Sequence, residues 1–191
     1  MKAPQSETVG MGLGQYHVGC FCPRCRGHRA FGNDPWPGSR AIAIAKATTA
    51  NAFSNSKLAL STANIYGPTQ PAGSLYGLNN SNPFNPIFQT QGTGIGFVPG
   101  GIITFGGGVA LYQNGQVIGG LGVSGDTSCA DHAISYRMRQ MAALDGIPAN
   151  GVGLNGTDNI SYYAIGTTSA TLDPSQFKQP HCLGATTDVT P

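Results

Sequence analysis

The residues best able to do chemistry crowd into "LGVSGDTSCADHAISYRMRQM", Leu121 to Met141, which holds Ser124, Ser128, Cys129, Asp131 and His132 within nine positions. A serine nucleophile would sit on a Gly-x-Ser-x-Gly elbow. Gly122-Val123-Ser124-Gly125 is one residue short of it, so a hydrolase is disfavoured. A phosphate cradle needs the lysine of Gly-x-x-x-x-Gly-Lys-Ser/Thr, and the turn has none. Cys129 at a helix N-terminus beside His132 has the setting of an activated thiolate. The plainer reading is a structural Cys129, free and buried or bonded to Cys182, with His132 as a surface or interface residue.

A second cluster, "CFCPRCRGH", spaces Cys22 and Cys25 as a zinc knuckle, with Cys20, His28 or His17 able to complete four ligands. A zinc ribbon would need a second Cys-x-x-Cys, which the chain lacks. Attachment of a c-type heme would need histidine where Arg26 stands. A thiol-rich segment without metal is the favoured reading, and a zinc site at Cys20, Cys22, Cys25 and His28 is its alternative.

The elements that must position these groups follow from the patterning. Asn114-Gly115 between Val109–Tyr112 and Val117–Val123 predicts an antiparallel hairpin closed by a type I′ turn. Gly119, Gly120 and Gly122 on its second strand would let another backbone or a flat ligand come close. A helix follows, with Ser128 as N-cap, Asp131 completing a capping box, and Ala130, Ala133, Ile134, Arg137, Met138 and Met141 as its buried stripe. An earlier small-residue helix starts at an N-capping Ser39 and spaces Ile42, Ala45, Lys46, Thr49 and Phe53 along one side. A short helix is expected near Leu58–Ile65 and a strand in "NISYYAIG". The long connection between the first helix and the hairpin is functional or ordered by Tyr66, Tyr76, Phe84 and Phe88.

Composition narrows the function classes. With 191 residues the chain suits one domain. Charged residues are 9% and the net charge is +2, so neither nucleic acid nor an anionic membrane surface is an expected partner. No apolar run approaches the roughly 18 residues that span a bilayer. No export signal is visible. Residues 1–30 show neither helical nor strand periodicity and read as an atypical Cys- and Gly-rich leader. A domain then runs over 31–191, with the change of character near Phe31.

From about residue 35, "WPGSRAIAIAKATTANAFS", "LALSTANIYGPTQPAGSLYGLNNSNP", "GGGVALYQNGQVIGGLGVSGDTSCADHAIS" and "QPHC" together resemble the heme-binding, heme-degrading family that includes GlcG-like and HbpS-like proteins and the C-terminal domain of PduO. The resemblance implies a single α+β domain of profilin-like type, an antiparallel sheet packed by helices. It also implies heme or tetrapyrrole binding, homo-oligomers, and a role in sensing, storage or trafficking. His132 or Tyr136 would serve at the iron and Arg40 and Lys46 at the propionates. "SCADH" and "PHC" resemble an exported subgroup, which implies a Cys129–Cys182 disulfide and a periplasmic or secreted setting.

Family members precede the "WPGSR" region with a long helix and a strand pair, and neither is legible in residues 1–30. The leader is therefore expected to be a replaced segment or an adaptation for a protein partner. A non-catalytic structural or interaction subunit that kept the fold and lost the ligand is the alternative function. An enzyme acting on a small oxygenated molecule comes third, and no catalytic residue is assigned.

Overall fold

The computed structural model describes residues 17–21, 29–31, 38–81, 83, 100–148, 150–152 and 156–182. Its centre is a four-stranded antiparallel sheet in the order β2-β1-β4-β3, formed by β1 (His17–Phe21), β2 (Arg29–Phe31), β3 (Gly108–Gln113) and β4 (Gln116–Ser124). Asn114 and Gly115 close the β3–β4 hairpin with φ of 52° and 71°, the left-handed pair that a type I′ turn requires.

Helix α1 (Gly38–Ala52) lies on one face of the sheet and almost touches it, because its inward residues are alanines and the strand beneath offers glycines. A Cβ at Gly122 would strike the Ala43 carbonyl oxygen, and one at Gly120 the Ala47 carbonyl oxygen. The glycine-rich face therefore does admit a close neighbour, and that neighbour is the backbone of α1 rather than a flat ligand. The helix begins at Gly38, which puts Ser39 inside it and not at the cap. Its burial also extends beyond one stripe: Ser39, Ala41, Ala43, Ile44, Ala45, Lys46, Ala47, Thr49 and Ala50 are all enclosed.

Helix α2 (Ser128–Met141) packs on the opposite face, where Val109, Leu111 and Leu121 meet Tyr136, Met138 and Leu144. Thr127 is its N-cap, accepting from the Ala130 amide, so the cap falls one residue earlier than the Ser128 pattern predicts. The expected buried stripe is also displaced. Asp131, His132, Ser135 and Arg139 are the enclosed residues of α2, whereas Ala130, Ala133, Ile134 and Met138 are half-exposed and Arg137 and Met141 are exposed. Polar groups wait on the inner side to receive that face.

Three further expectations are corrected. Leu58–Ile65 forms no α-helix; it is irregular up to Ser61 and turns from Thr62, and one-turn 3₁₀ segments follow at Gly67–Thr69 and Leu78–Asn80. The cause is local competition for the backbone. Asn64 Oδ1 takes the Ser61 amide, Ser54 Oγ takes the Leu60 amide, and Thr62 bonds to Gly108 at the start of β3. "NISYYAIG" forms no strand. Tyr163 and Ser161 instead exchange backbone hydrogen bonds with Gln179 at a single bridge.

The third correction concerns the leader, where two strands lie in a region without legible periodicity. Gly19 of β1 sits opposite Gly122, and Val18 opposite both Val123 and Phe31. Phe84 and Phe88 fall outside the described residues; Tyr66 is half-buried and Tyr76 is 67% exposed.

Gly122→Ala should cost about 1–3 kcal/mol or more in urea denaturation, because α1 must move to admit the methyl group. Gly146→Ala, with open space around it, should stay within about 0.5 kcal/mol. Equal effects at the two glycines would refute the close approach of α1.

Candidate functional site

At the end of the sheet beside Gly107, side chains from both helices meet. Lys46 leaves α1 fully buried. Its Nζ donates to Asp131 Oδ2 of α2 at 2.8 Å and to the Val123 carbonyl of β4 at 2.9 Å. Gly107 leaves the room for this, since a Cβ there would press on Lys46 Nζ and the Val123 carbonyl. Phe105 offers its ring face to the ammonium 4.9 Å away. Asp131 uses its other oxygen to accept the Asp126 amide, closing the turn ahead of the helix. Burial lowers the Lys46 pKa and raises that of Asp131, and in each case the partner's charge offsets part of the shift.

Two turns along α2 from Asp131, Arg139 forms the second buried pair. Its Nη1 and Nη2 each reach Asp158 at 2.6 Å, and Nη1 also donates to the Ala110 carbonyl at 3.1 Å. The Tyr136 ring stacks beneath the guanidinium, 4.9 Å from Arg139 Cζ. Among the described buried side-chain polar atoms, Arg139 Nε alone lacks a partner.

Between the two pairs lies His132, fully enclosed. Its Nε2 accepts the Ile160 amide at 3.1 Å and its Nδ1 faces the Gly107 amide at 3.4 Å. Burial holds its pKa down at about 4, so the ring is neutral at physiological pH.

The irregular C-terminal segment seals this layer. Gln179 accepts the Gly106 amide and donates to Ser128 Oγ at 2.5 Å. A Cys129–Cys182 disulfide ties the segment to the first turn of α2, and the Cys129 amide points at Cys182 Sγ. Bonded to Cys182, Cys129 is not the activated thiolate that its position beside His132 suggests.

The expected ligand set is thus brought together only in part. His132 and Tyr136 are neighbours, with ring centroids 6.0 Å apart, and the Tyr136 hydroxyl meets Thr157 Oγ1 at 3.1 Å. Lys46 does not face a propionate; its ammonium is spent on Asp131 and β4. Arg40 is exposed on α1. Of the expected zinc ligands, Cys22, Cys25 and His28 lie outside the described residues, and for Cys20 only the backbone is described. No group of three or more His, Cys, Asp or Glu among the described residues is arranged to hold a metal ion.

Asp158, Arg139 and Gln179 complete the cluster and are not singled out by motif. The spacing Asp131, Ser135, Arg139 on one helix side is the signal that could have pointed to them.

A four-stranded antiparallel sheet with a helix on each face, closed at one end by a buried ionic layer, defines a small single-domain α+β protein. The model of "Haem degrading protein HbpS-like" proteins matches residues 28–139, more than half of the chain, and the chain belongs to that family. Among solved structures it is similar to the Klebsiella pneumoniae protein ORFY, with 25% identity, 68% of this chain and 76% of that chain covered, and a TM-score of 0.52. It is also similar to PduOC, solved as a heme complex, with 27% identity, 66% and 78% covered, and a TM-score of 0.50. No curated protein matches significantly.

His132 makes the fold acid-sensitive in a definite direction. Its folded pKa lies below the unfolded value of 6.5, so the unfolded chain takes up the proton first as pH falls. Its contribution is complete above 6.5 and is lost on descent to about 4, a change of about 3 kcal/mol. Denaturant midpoints measured from pH 7 to 5 should fall in the wild type and fall much less in His132→Gln. Parallel slopes would show that His132 is not held neutral.

Proposed function

We propose that this chain binds heme or a related tetrapyrrole and serves in its sensing, storage or trafficking. The observation that carries this reading is membership of the HbpS-like family together with the likeness to PduOC in its heme complex. The disulfide supports a periplasmic or secreted setting, since such bonds persist in oxidising compartments.

The described interior does not fit the macrocycle. Both His132 nitrogens face backbone amides, Lys46 is closed on Asp131, and the Tyr136 hydroxyl is bonded to Thr157. No axial bond is therefore routed through His132, and binding belongs to a surface outside this layer. The same closure favours a second reading, a non-catalytic interaction subunit that kept the fold without the ligand.

Hemin titration followed at the Soret band separates the two. A saturable shift is expected, and His132→Ala, assayed at a pH where it is folded, should retain it. Absence of a saturable band in the wild type would favour the interaction subunit. Loss of the band in folded His132→Ala would overturn the closed interior.

A further inference from the structure

Two hydrogen-bond donors at the N-terminus of α2 converge on one sulfur of the Cys129–Cys182 disulfide. The first-turn amides of a helix have no partner within it. Thr127 Oγ1 takes the one on Ala130, and the one on Cys129 points at Cys182 Sγ from 3.2 Å. Ser128 Oγ lies 3.6 Å from the same sulfur. A disulfide sulfur carries no hydrogen, so the hydroxyl is the donor there.

That hydroxyl is oriented from its far side. Gly106 donates its amide to Gln179 Oε1 at 2.8 Å, which turns the side-chain amide so that Nε2 donates to Ser128 Oγ at 2.5 Å. With its oxygen already accepting, Ser128 has its proton free for Cys182. Gly106 must be glycine for this, since a Cβ there would run into the Ser128 carbonyl oxygen. The first-turn carboxylate, Asp131, is paired with Lys46, so it does not cancel the positive end of the helix.

A neutral disulfide gains little from such donors, whereas a thiolate gains charge-assisted hydrogen bonds. Stabilising the reduced form makes a disulfide easier to open. We infer that Cys129 and Cys182 are a redox-active pair that exchanges with thiols, and that Cys182 is the sulfur that carries the charge when the bond opens. Both cysteines are half-buried, so a thiol can approach. Its thiolate attacks Cys129 Sγ and forms a mixed disulfide, its proton goes to solvent, and Cys182 leaves with the electron pair of the broken bond. A second thiol resolves the mixed disulfide and leaves its proton on Cys129. The chain has then gained two electrons, and the two thiols depart as a disulfide. The fold does not rest on this bond, because α2 is docked through Lys46–Asp131 and Arg139–Asp158. The inference does not depend on heme.

The test equilibrates the full oxidised chain with mixtures of reduced and oxidised glutathione, traps free thiols with iodoacetamide, and reads each cysteine in its own peptide by mass spectrometry. The bond should open at glutathione ratios that leave structural disulfides closed, with the far-UV circular dichroism unchanged. Brief trapping of the reduced chain should label Cys182 before Cys129. Ser128→Ala should make the bond about three- to tenfold harder to reduce, the worth of one hydrogen bond, and Ser128→Thr should restore it. A bond that opens only when the chain unfolds would overturn the inference and leave a purely structural tie. So would faster labelling of Cys129, or a Ser128→Ala chain reduced as readily as the wild type.

Discussion

The buried ion pair between Lys46 and Asp131 is the contact on which the arrangement of the two helices depends. It joins α1 on one face of the sheet to α2 on the other, and its third partner, the Val123 carbonyl, belongs to the strand between them. Taking two charges out of water is costly, and the cost is offset only when geometry and hydrogen bonding are complete. They are nearly complete here. The ammonium has two close oxygens and an aromatic face, the carboxylate also takes a backbone amide, and Gly107 keeps the space in which they meet. Arg139 with Asp158, and His132 between the two pairs, extend the same solution along α2, so the helix docks through specific polar contacts as well as hydrophobic area.

This has a direct consequence for function. The groups that look reactive in the sequence, a cysteine beside a histidine and a lysine on a neighbouring helix, are consumed in holding the fold. Cys129 is tied to Cys182, His132 accepts from backbone, and Lys46 is neutralised in place. A ligand-binding role for the family member must then use surface that this layer supports without contributing its own atoms.

Legibility followed the range of the interactions. The hairpin was readable because Asn114-Gly115 encodes its turn locally, and the two helices because small and apolar residues recur at helical spacing. The inward face of α2 was misread because hydrophobic periodicity assumes an apolar interior, and this helix meets Asp158, the Ala110 carbonyl and the Ile160 amide instead. Strand β1 was invisible because its register comes from β4, more than 90 residues away, and its glycine and cysteine carry no alternation; the three-residue β2 takes its register from β1 in turn. The Leu58–Ile65 helix failed because Ser and Asn side chains captured the backbone first. The resemblance to the family was legible from the Gly-rich hairpin and the helix after it, while the closure of its candidate ligands became visible only in three dimensions.

A double-mutant cycle on the central ion pair tests the account most directly, with stabilities of Lys46→Met, Asp131→Leu and the combined variant measured by chemical denaturation at neutral pH. Each single substitution strands a buried charge and should cost about 3–5 kcal/mol. The combined variant should lose much less than the sum, leaving a coupling of about 2 kcal/mol or more. Single losses that are small and simply add would contradict the claim that this pair holds α1 and α2 together.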